Sequence, residues 1–523
     1  MALSELNKVL TSKGYAIKKS FLTEQQSQNL RKSLTMTPKS LDKFQKGDDS
    51  FPIYYESKAR FYVPRAWGKK EFGEPEANIV SDGLTIPNIT FNDTFKPYDF
   101  QENVINSFIN KGSNGLICVP CGYGKTFMAL NIAVRLGRRF LIVVDKEFLM
   151  NQWKSEIEKY IHGARVGILQ GSTCQVGTDT IVERSYTIPE LKQLCREAKL
   201  KIGGNKEELI KRLADAGIDT TPQSQTINYD VTICMIQTIC RQEFPDGFFD
   251  EYGFTIFDEC HHLGASYFSK ALLKIQTKYM LGLSATPDRD DGLTCVFEYY
   301  LGEPVYKETK RAADKEAVVK AVWFNSEDPS YKEAPVDWRG EVVGAKLLNQ
   351  IAEFEPRNNK IMQLINEYAN DKHRFILILS DRISQLEWFE ESLNKANYAH
   401  GYYIGGMKQK KLDENAEKCQ ILLATYQMAS EAFSVKKLNT VILATPRKKV
   451  EQSTGRIFRE RINERKLAPH IIDIIDSHDT LVRRWYVRKR FYKECEYTIQ
   501  NIDKKEKVVK KTETNEHGSL FKF

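Results

Sequence analysis

The chain alternates between short, unbroken apolar runs and segments with helical spacing. GLICVP (115–120), FLIVVD (140–145), VTICMI (231–236) and FTIFDE (254–259) form one cluster of such runs. FILILS (375–380), ILLAT (421–425) and TVILAT (440–445) form a second. A strand that is apolar at consecutive positions is buried on both faces, as in a parallel sheet covered by helices. The intervening stretches supply those helices; TFMALNIAVRL places Met128, Ile132 and Val134–Leu136 at helical intervals. Two clusters predict an α/β chain with two parallel-sheet lobes. Residues 1–90 carry no evident chemistry, although FPIYYESKARFYVPRAWG alternates as strands do; they are expected to form an N-terminal accessory domain.

Residues 184–218 break the first cluster. Their pattern predicts two short helices around Gly203-Gly204, with capping boxes at Thr187/Glu190 and Asn205/Glu208. Apolar Ile188, Leu191 and Leu194 lie on one helix, Leu209, Ile210 and Leu213 on the next, and Gly217 is placed to end the second. This is a small helical insertion within lobe 1.

Composition narrows the class. Hydrophobic content of 41% and charge of 28% over 523 residues are those of a globular chain of several domains. No apolar run reaches the ~18 residues a spanning helix needs, so no membrane partner is expected. MALSELNKVLTSKGYAIKK lacks the apolar core of a signal peptide, and the ten cysteines show no paired spacing beyond Cys118/Cys121; both point to an intracellular setting. The net charge of +8 is concentrated at the C-terminus: residues 481–511 hold eleven Lys/Arg and four Asp/Glu. That segment suits a polyanion, or is a solvated charged helix.

PCGYGKT (120–126) joins an apolar strand to a helix, the setting of a phosphate-binding loop. Pro120, Cys121, Gly122, Tyr123 and Gly124 would form the cradle. Lys125 would neutralise phosphate charge, and Thr126 would offer its hydroxyl to Mg²⁺. Val119 stands where the strict pattern has glycine. Further on, TIFDECHHLGAS (255–266) offers five metal-binding side-chain types in a row. Cys260, His261 and His262 are adjacent and cannot easily converge on one zinc ion. An apolar strand ending in two acids fits a nucleotide site better, with Asp258 holding Mg²⁺ and Glu259 polarising water.

Taken in order, these motifs resemble the two-lobed, RecA-like ATPase core of superfamily 2 DEAD/H-box-type helicases, over roughly residues 91–480. Gln101 in YDFQENVI matches the glutamine that reads adenine in that family. DKEFLMNQW (145–153) and Gln237-Thr238 resemble its strand-gripping motifs. DECH (258–261) matches the DEAD/H box, and LGLSATPDRDDG (281–292) resembles the motif in which Ser284 and Thr286 would couple nucleotide state to grip. EQSTGRIFRE (451–460) matches Q-x-x-G-R-x-x-R, which implies Gln452, Arg456 and Arg459 as catalytic partners of Lys125 and Glu259 across the cleft. One departure is Ala432 and Ser434, where the family often has glycine and aspartate. The likeness is greatest to the branch containing UvsW, XPB and the helicases of large DNA viruses, of poxvirus transcript-release and asfarvirus type.

The insertion resembles a SAP motif, in which Lys199, Lys201, Lys206, Lys211 and Arg212 would meet DNA phosphates; a helical hairpin packed on the core is the alternative. LVRRWYVRKRFYKECEY (481–497) interleaves Arg483, Arg484, Arg488 and Arg490 with Trp485, Tyr486, Phe491 and Tyr492. These could stack on bases or pack the helix onto lobe 2.

The resulting expectation is an N-terminal domain (1–90), lobe 1 (91–306) with the insertion at 184–218, a linker (307–354), lobe 2 (355–480) and a basic helix and tail (481–523). The implied activity is that of an ATP- and Mg²⁺-dependent helicase or translocase that favours DNA over RNA. It would work with transcription or replication machinery, in host cytoplasm or virion if viral. An RNA helicase and a DNA-tethered scaffold with weak ATPase are the rivals.

Overall fold

The computed structural model describes all residues except 1–4, 40–49, 179, 185, 221–222, 290, 309–310, 432–434, 436, 459, 461–464 and 504–523. The chain divides into two compact units, residues 1–309 and 310–523.

The first unit begins with a small sheet of β1 (Lys8–Thr11), β2 (Gly14–Lys18), β3 (Tyr55–Glu56), β4 (Arg60–Val63) and β5 (Ala77–Asn78), in the order β3-β4-β2-β1-β5. Its main sheet has eight strands: β6 (Asn114–Cys118), β7 (Phe140–Val144), β8 (Val166–Gln170), β9 (Thr173–Cys174), β12 (Val231–Met235), β13 (Phe254–Phe257), β14 (Tyr279–Ser284) and β15 (Pro304–Lys307). β10 (Thr180–Arg184) and β11 (Gln223–Ile227) pair separately as an antiparallel ribbon. The main sheet runs β9-β8-β12-β7-β13-β14-β6-β15, parallel except at β9. Each apolar strand feeds two cores, because successive side chains face opposite ways. Leu116, Leu141, Val143 and Met280 enter one cluster, while Ile117, Ile142, Val144, Leu281 and Leu283 enter the other.

That two-sided demand explains the N-terminal residues. Leu10, Tyr15, Ile17, Leu34, Phe61 and Trp67 belong to the same cluster as Met280, Phe297 and Tyr300. Arg65, buried, donates to the carbonyls of Thr277 and Lys278 at 2.7 and 3.0 Å, and Tyr300 Oη donates to the Ile53 carbonyl at 2.7 Å. The described residues of 1–90, expected as an N-terminal accessory domain, share a core with lobe 1. They cover one face of its sheet.

The β10–β11 ribbon carries two helices, Ile188–Glu197 and Lys206–Asp215. Thr187 and Asn205 accept from the backbone N–H groups of Glu190 and Glu208, as the capping pattern predicts. Leu191, Cys195, Leu209 and Leu213 form a core of their own. Ile188, at the start of the first helix, is 42% exposed, and Cys195 is buried.

The second unit is built on a seven-stranded, all-parallel sheet. Its strands are β16 (Val318–Phe324), β17 (Ile376–Ser380), β18 (His400–Tyr403), β19 (Ile421–Thr425), β20 (Thr440–Leu443), β21 (His470–Asp476) and β22 (Thr498–Ile502), ordered β18-β19-β17-β20-β21-β16-β22. Two of these lie outside the stretch expected to form lobe 2. β16 falls in the supposed linker, where Lys320 interrupts its apolar run, and β22 is a polar edge strand in the supposed tail. Both are recruited by pairing.

The helix Asp479–Glu494 buries Leu481, Trp485, Arg488 and Tyr492. Arg488 sits against Asp473 and not at the surface, whereas Tyr486 is 60% exposed. The packing alternative holds for Trp485, Arg488 and Tyr492; Arg483 and Arg490 remain exposed.

Candidate nucleotide site

The site is assembled where strands of the first unit's sheet end and loops begin, the usual position of a ligand crevice in a parallel sheet. After β6 the chain turns through 119–124 into the helix Lys125–Leu136. Gly122 and Gly124 have φ of +91° and +82°, a left-handed backbone that side chains disfavour. Gly124 is needed on a second count: a Cβ there would stand 2.6 Å from Gln101 Nε2. Val119 needs no glycine, because it extends the strand. Its N–H donates to the Ser284 carbonyl at 3.2 Å, and its side chain is fully buried. Pro120 and Cys121 are buried, Gly122 is exposed, and Tyr123 packs edge-on against Phe100.

Gln101, assigned by resemblance to adenine, braces the loop. Its Nε2 donates to the Tyr123 carbonyl at 3.1 Å, and its Oε1 accepts from the Tyr98 N–H at 3.1 Å. Lys125 and Thr126 open the helix that follows.

β13 delivers the acids. Glu259 adopts φ +43°, an uncommon left-handed conformation outside glycine. Lys125 Nζ lies 3.3 Å from Glu259 Oε1, both largely shielded from water. Burial opposes the Lys125 charge, but Glu259 and Asp258 outweigh it and raise its pKa. In return, burial pushes the Glu259 carboxyl up and Lys125, with the nearby histidines, brings it below the usual range. Asp258 is pushed up to about 6, by burial first and then by the charge of Glu259. Its Oδ2 accepts from Trp153 Nε1 at 2.8 Å and its Oδ1 from the Glu259 N–H at 3.0 Å. Two carboxylates thus share one lysine. Glu259 Oε2 is buried and accepts no hydrogen bond, with His261 Nδ1 at 3.4 Å. A surplus carboxylate and an unsatisfied acceptor suit an added cation and a polarised water. These groups fit a divalent cation such as Mg²⁺, which Asp258, with Thr126 by the resemblance, would hold.

The neighbours in DECHH diverge. Cys260 is fully buried, and a Cβ on Gly282 would lie 3.0 Å from its sulfur, so the thiol faces the core. His261 Nδ1 is 3.0 Å from Ser284 Oγ, and that oxygen accepts from the Thr286 N–H at 3.2 Å. Burial takes the His261 pKa down to about 4, which leaves a neutral ring at pH 7. The acidic turn is therefore wired to Ser284 and Thr286.

Two strand-grip assignments are modified. In 145–153, Leu149, Met150 and Trp153 are buried, so much of the segment packs inward. Gln237 donates to the Asp145 carbonyl at 2.7 Å, and Thr238 Oγ1 accepts from the Gly171 N–H at 2.9 Å. Sequence reasoning overlooked the Trp153–Asp258 bond. A buried indole N–H nearly always has an acceptor, which was the available signal. Arg289 was overlooked too; it donates to the His261 carbonyl and pairs with Asp291.

In the second unit, Gln452 is half-buried and Arg456 is buried, its Nε donating to the Ala429 carbonyl. Arg459, Ala432 and Ser434 lie outside the described residues.

Residues 94–289 match the family model of the type III restriction enzyme res subunit. Protein L396 of Acanthamoeba polyphaga mimivirus, named as an ATP-dependent RNA helicase, is 29% identical over 518 residues, covering 96% of this chain and 88% of its own. Protein QP509L of African swine fever virus, similarly named, is 24% identical over 396 residues, 72% of this chain and 68% of its own. The helicase domain of Pyrococcus furiosus Hef matches at 16% identity and a TM-score of 0.44, covering 76% of this chain and 99% of its own. The family-model match over residues 94–289 and viral relatives named as helicases, one of them along nearly the full length, make the chain an ATP-hydrolysing enzyme similar to the helicases of large DNA viruses.

Proposed function

We propose that the chain spends ATP to move along or unwind nucleic acid, DNA in preference to RNA, in viral transcription or DNA remodelling. The observation that carries this reading is the Lys125–Glu259 pair, 3.3 Å apart beside Asp258 and linked through His261 to Ser284. An incoming triphosphate competes with Glu259 for Lys125. Lys125 then neutralises phosphate charge, while the released Glu259 accepts a proton or hydrogen bond from the attacking water. Thr126 and Asp258 would hold Mg²⁺, which when bound would neutralise charge on the phosphate oxygens. Pro120–Gly124 cradle the phosphates and Gln101 fixes that cradle. Gln452, Arg456 and Arg459, carried over from the helicase motif they match, are further candidate catalytic residues. The His261–Ser284–Thr286 link passes nucleotide state to the grip on the strand.

The preference for DNA rests on the SAP-like insertion, where Lys199, Lys201 and Lys211 are exposed and Lys206 half-exposed on a self-contained module. Arg212 is partly committed, holding the Gly-Gly turn through the Lys201 and Gly203 carbonyls. An RNA substrate is the second reading, favoured by the names of L396 and QP509L. Work in host cytoplasm or virion, beside transcription or replication machinery, accords with viral relatives. Among the described residues no helix is long and apolar enough to cross a membrane.

Steady-state ATPase activity with single-stranded, duplex or branched DNA, or with RNA, at two salt concentrations tests the proposal. Salt-sensitive stimulation by DNA above that by RNA is expected. Equal or greater stimulation by RNA would replace DNA with RNA. Stimulation by neither would remove the motor.

A further inference from the structure

Asp258 is held from two directions. One donor is the N–H of the next residue, Glu259, at 3.0 Å. The other, Trp153 Nε1 at 2.8 Å, comes from 105 residues away. Trp153 is 1% exposed and lies on the helix Glu147–Tyr160, which begins inside the segment 145–153 that resembles a strand grip. The same segment meets the acidic turn at its other end, where Asp145 Oδ2 is 3.9 Å from His262 Nε2. Leu149, Met150 and Ile157 fix the helix in the core beside Trp153. The indole is therefore a rigid arm between the grip segment and one oxygen of the carboxylate.

We infer that Trp153 is a positioning residue that sets the orientation of Asp258 for Mg²⁺, and that through it the segment 145–153 transmits strand occupancy to the metal. This rests on the reading of Asp258 as the carboxylate that holds Mg²⁺. A hydrogen bond to the non-coordinating side of a ligating group restricts its rotation, so that less freedom is lost when the ion arrives. Sideways movement of the helix under a bound strand would alter that bond directly.

The test is binding of a dye-labelled ADP, followed by anisotropy while Mg²⁺ is titrated, for wild type, Trp153→Phe, Leu149→Ala and Asp258→Ala. Phenylalanine keeps a ring and removes only the donor. The half-saturating Mg²⁺ concentration should rise by about tenfold, the low end for loss of a group that supports a metal ligand. Nucleotide binding in EDTA should be unchanged, and adding DNA should no longer shift the Mg²⁺ dependence. Leu149→Ala loosens the same helix but keeps the donor, and should shift the Mg²⁺ midpoint by less than Trp153→Phe does. An unaltered midpoint in Trp153→Phe, or an equal shift in Leu149→Ala, overturns the inference. If Asp258→Ala also keeps the wild-type midpoint, the metal assignment itself fails; if only Trp153→Phe does, the positioning role alone fails. Should the phenylalanine variant not fold, wild-type protein labelled with fluorotryptophan provides a second measurement. One of its six tryptophan signals should be broadened when Mn²⁺ replaces Mg²⁺ in the ADP complex. No broadened signal would equally overturn it.

Discussion

Arg488 grips Asp473 with two hydrogen bonds, Nε to Oδ2 at 2.7 Å and Nη2 to Oδ1 at 2.8 Å, and neither side chain is exposed to solvent. Tyr492 adds a third donor to the same carboxylate at 3.0 Å. An arginine within the most basic stretch of the chain is thus part of the second unit's core. Removing one partner leaves a buried charge uncompensated, at a cost of about 3–5 kcal/mol. Arg488→Met should lower stability on that scale, and Asp473→Leu in the same chain should restore much of it. Urea unfolding followed by tryptophan fluorescence measures both. Were Arg488 instead a phosphate contact, the variant would stay stable and the salt dependence of DNA binding would become shallower.

Lys125→Ala should abolish hydrolysis and leave the fold. Removing one preorganised charge from a transition state costs about 10²–10³-fold in rate. Without Lys125, only the nearby histidines oppose burial at Glu259, and its carboxyl titrates higher. ATPase rate and melting temperature, measured together, check this. Turnover at the wild-type rate would remove Lys125 from the reaction.

His470 opens β21 with Nδ1 2.7 Å from Tyr368 Oη. Burial first, then the charges of Arg374 and Lys320, take its pKa down to about 4. The unfolded imidazole titrates near 6.5, so the folded state resists the proton. Its contribution is complete above pH 6.5 and is lost as pH falls from there to about 4. Urea midpoints across that window should decline in wild type and decline less in His470→Gln. Parallel curves would exclude His470 as the cause.

Arg184 and Gln223 are paired in the β10–β11 ribbon, so residues 185–222 can be replaced by a two-residue Asn-Gly turn. The lost helices take their own core with them. ATPase activity without nucleic acid should be unchanged, while affinity for duplex DNA falls and becomes less sensitive to salt. Unchanged DNA affinity would make the insertion a structural hairpin.

The sequence determined what lies close along the chain. Apolar runs specified strands buried on both faces, Thr187 and Asn205 specified helix starts, and PCGYGKT and DECH specified a loop and an acidic turn, because strand period, capping and turn geometry act within a few residues. Tertiary structure decided which distant groups satisfy one another. Pairing drew the polar β22 and the interrupted β16 into the second sheet. The uncovered face of the first sheet drew in residues 1–90. Asp473 turned Arg488 inward, and Asp258 took the indole of Trp153. A buried polar group must find a partner, but the sequence around it does not say which one; 105 residues separate Trp153 from the carboxylate it holds.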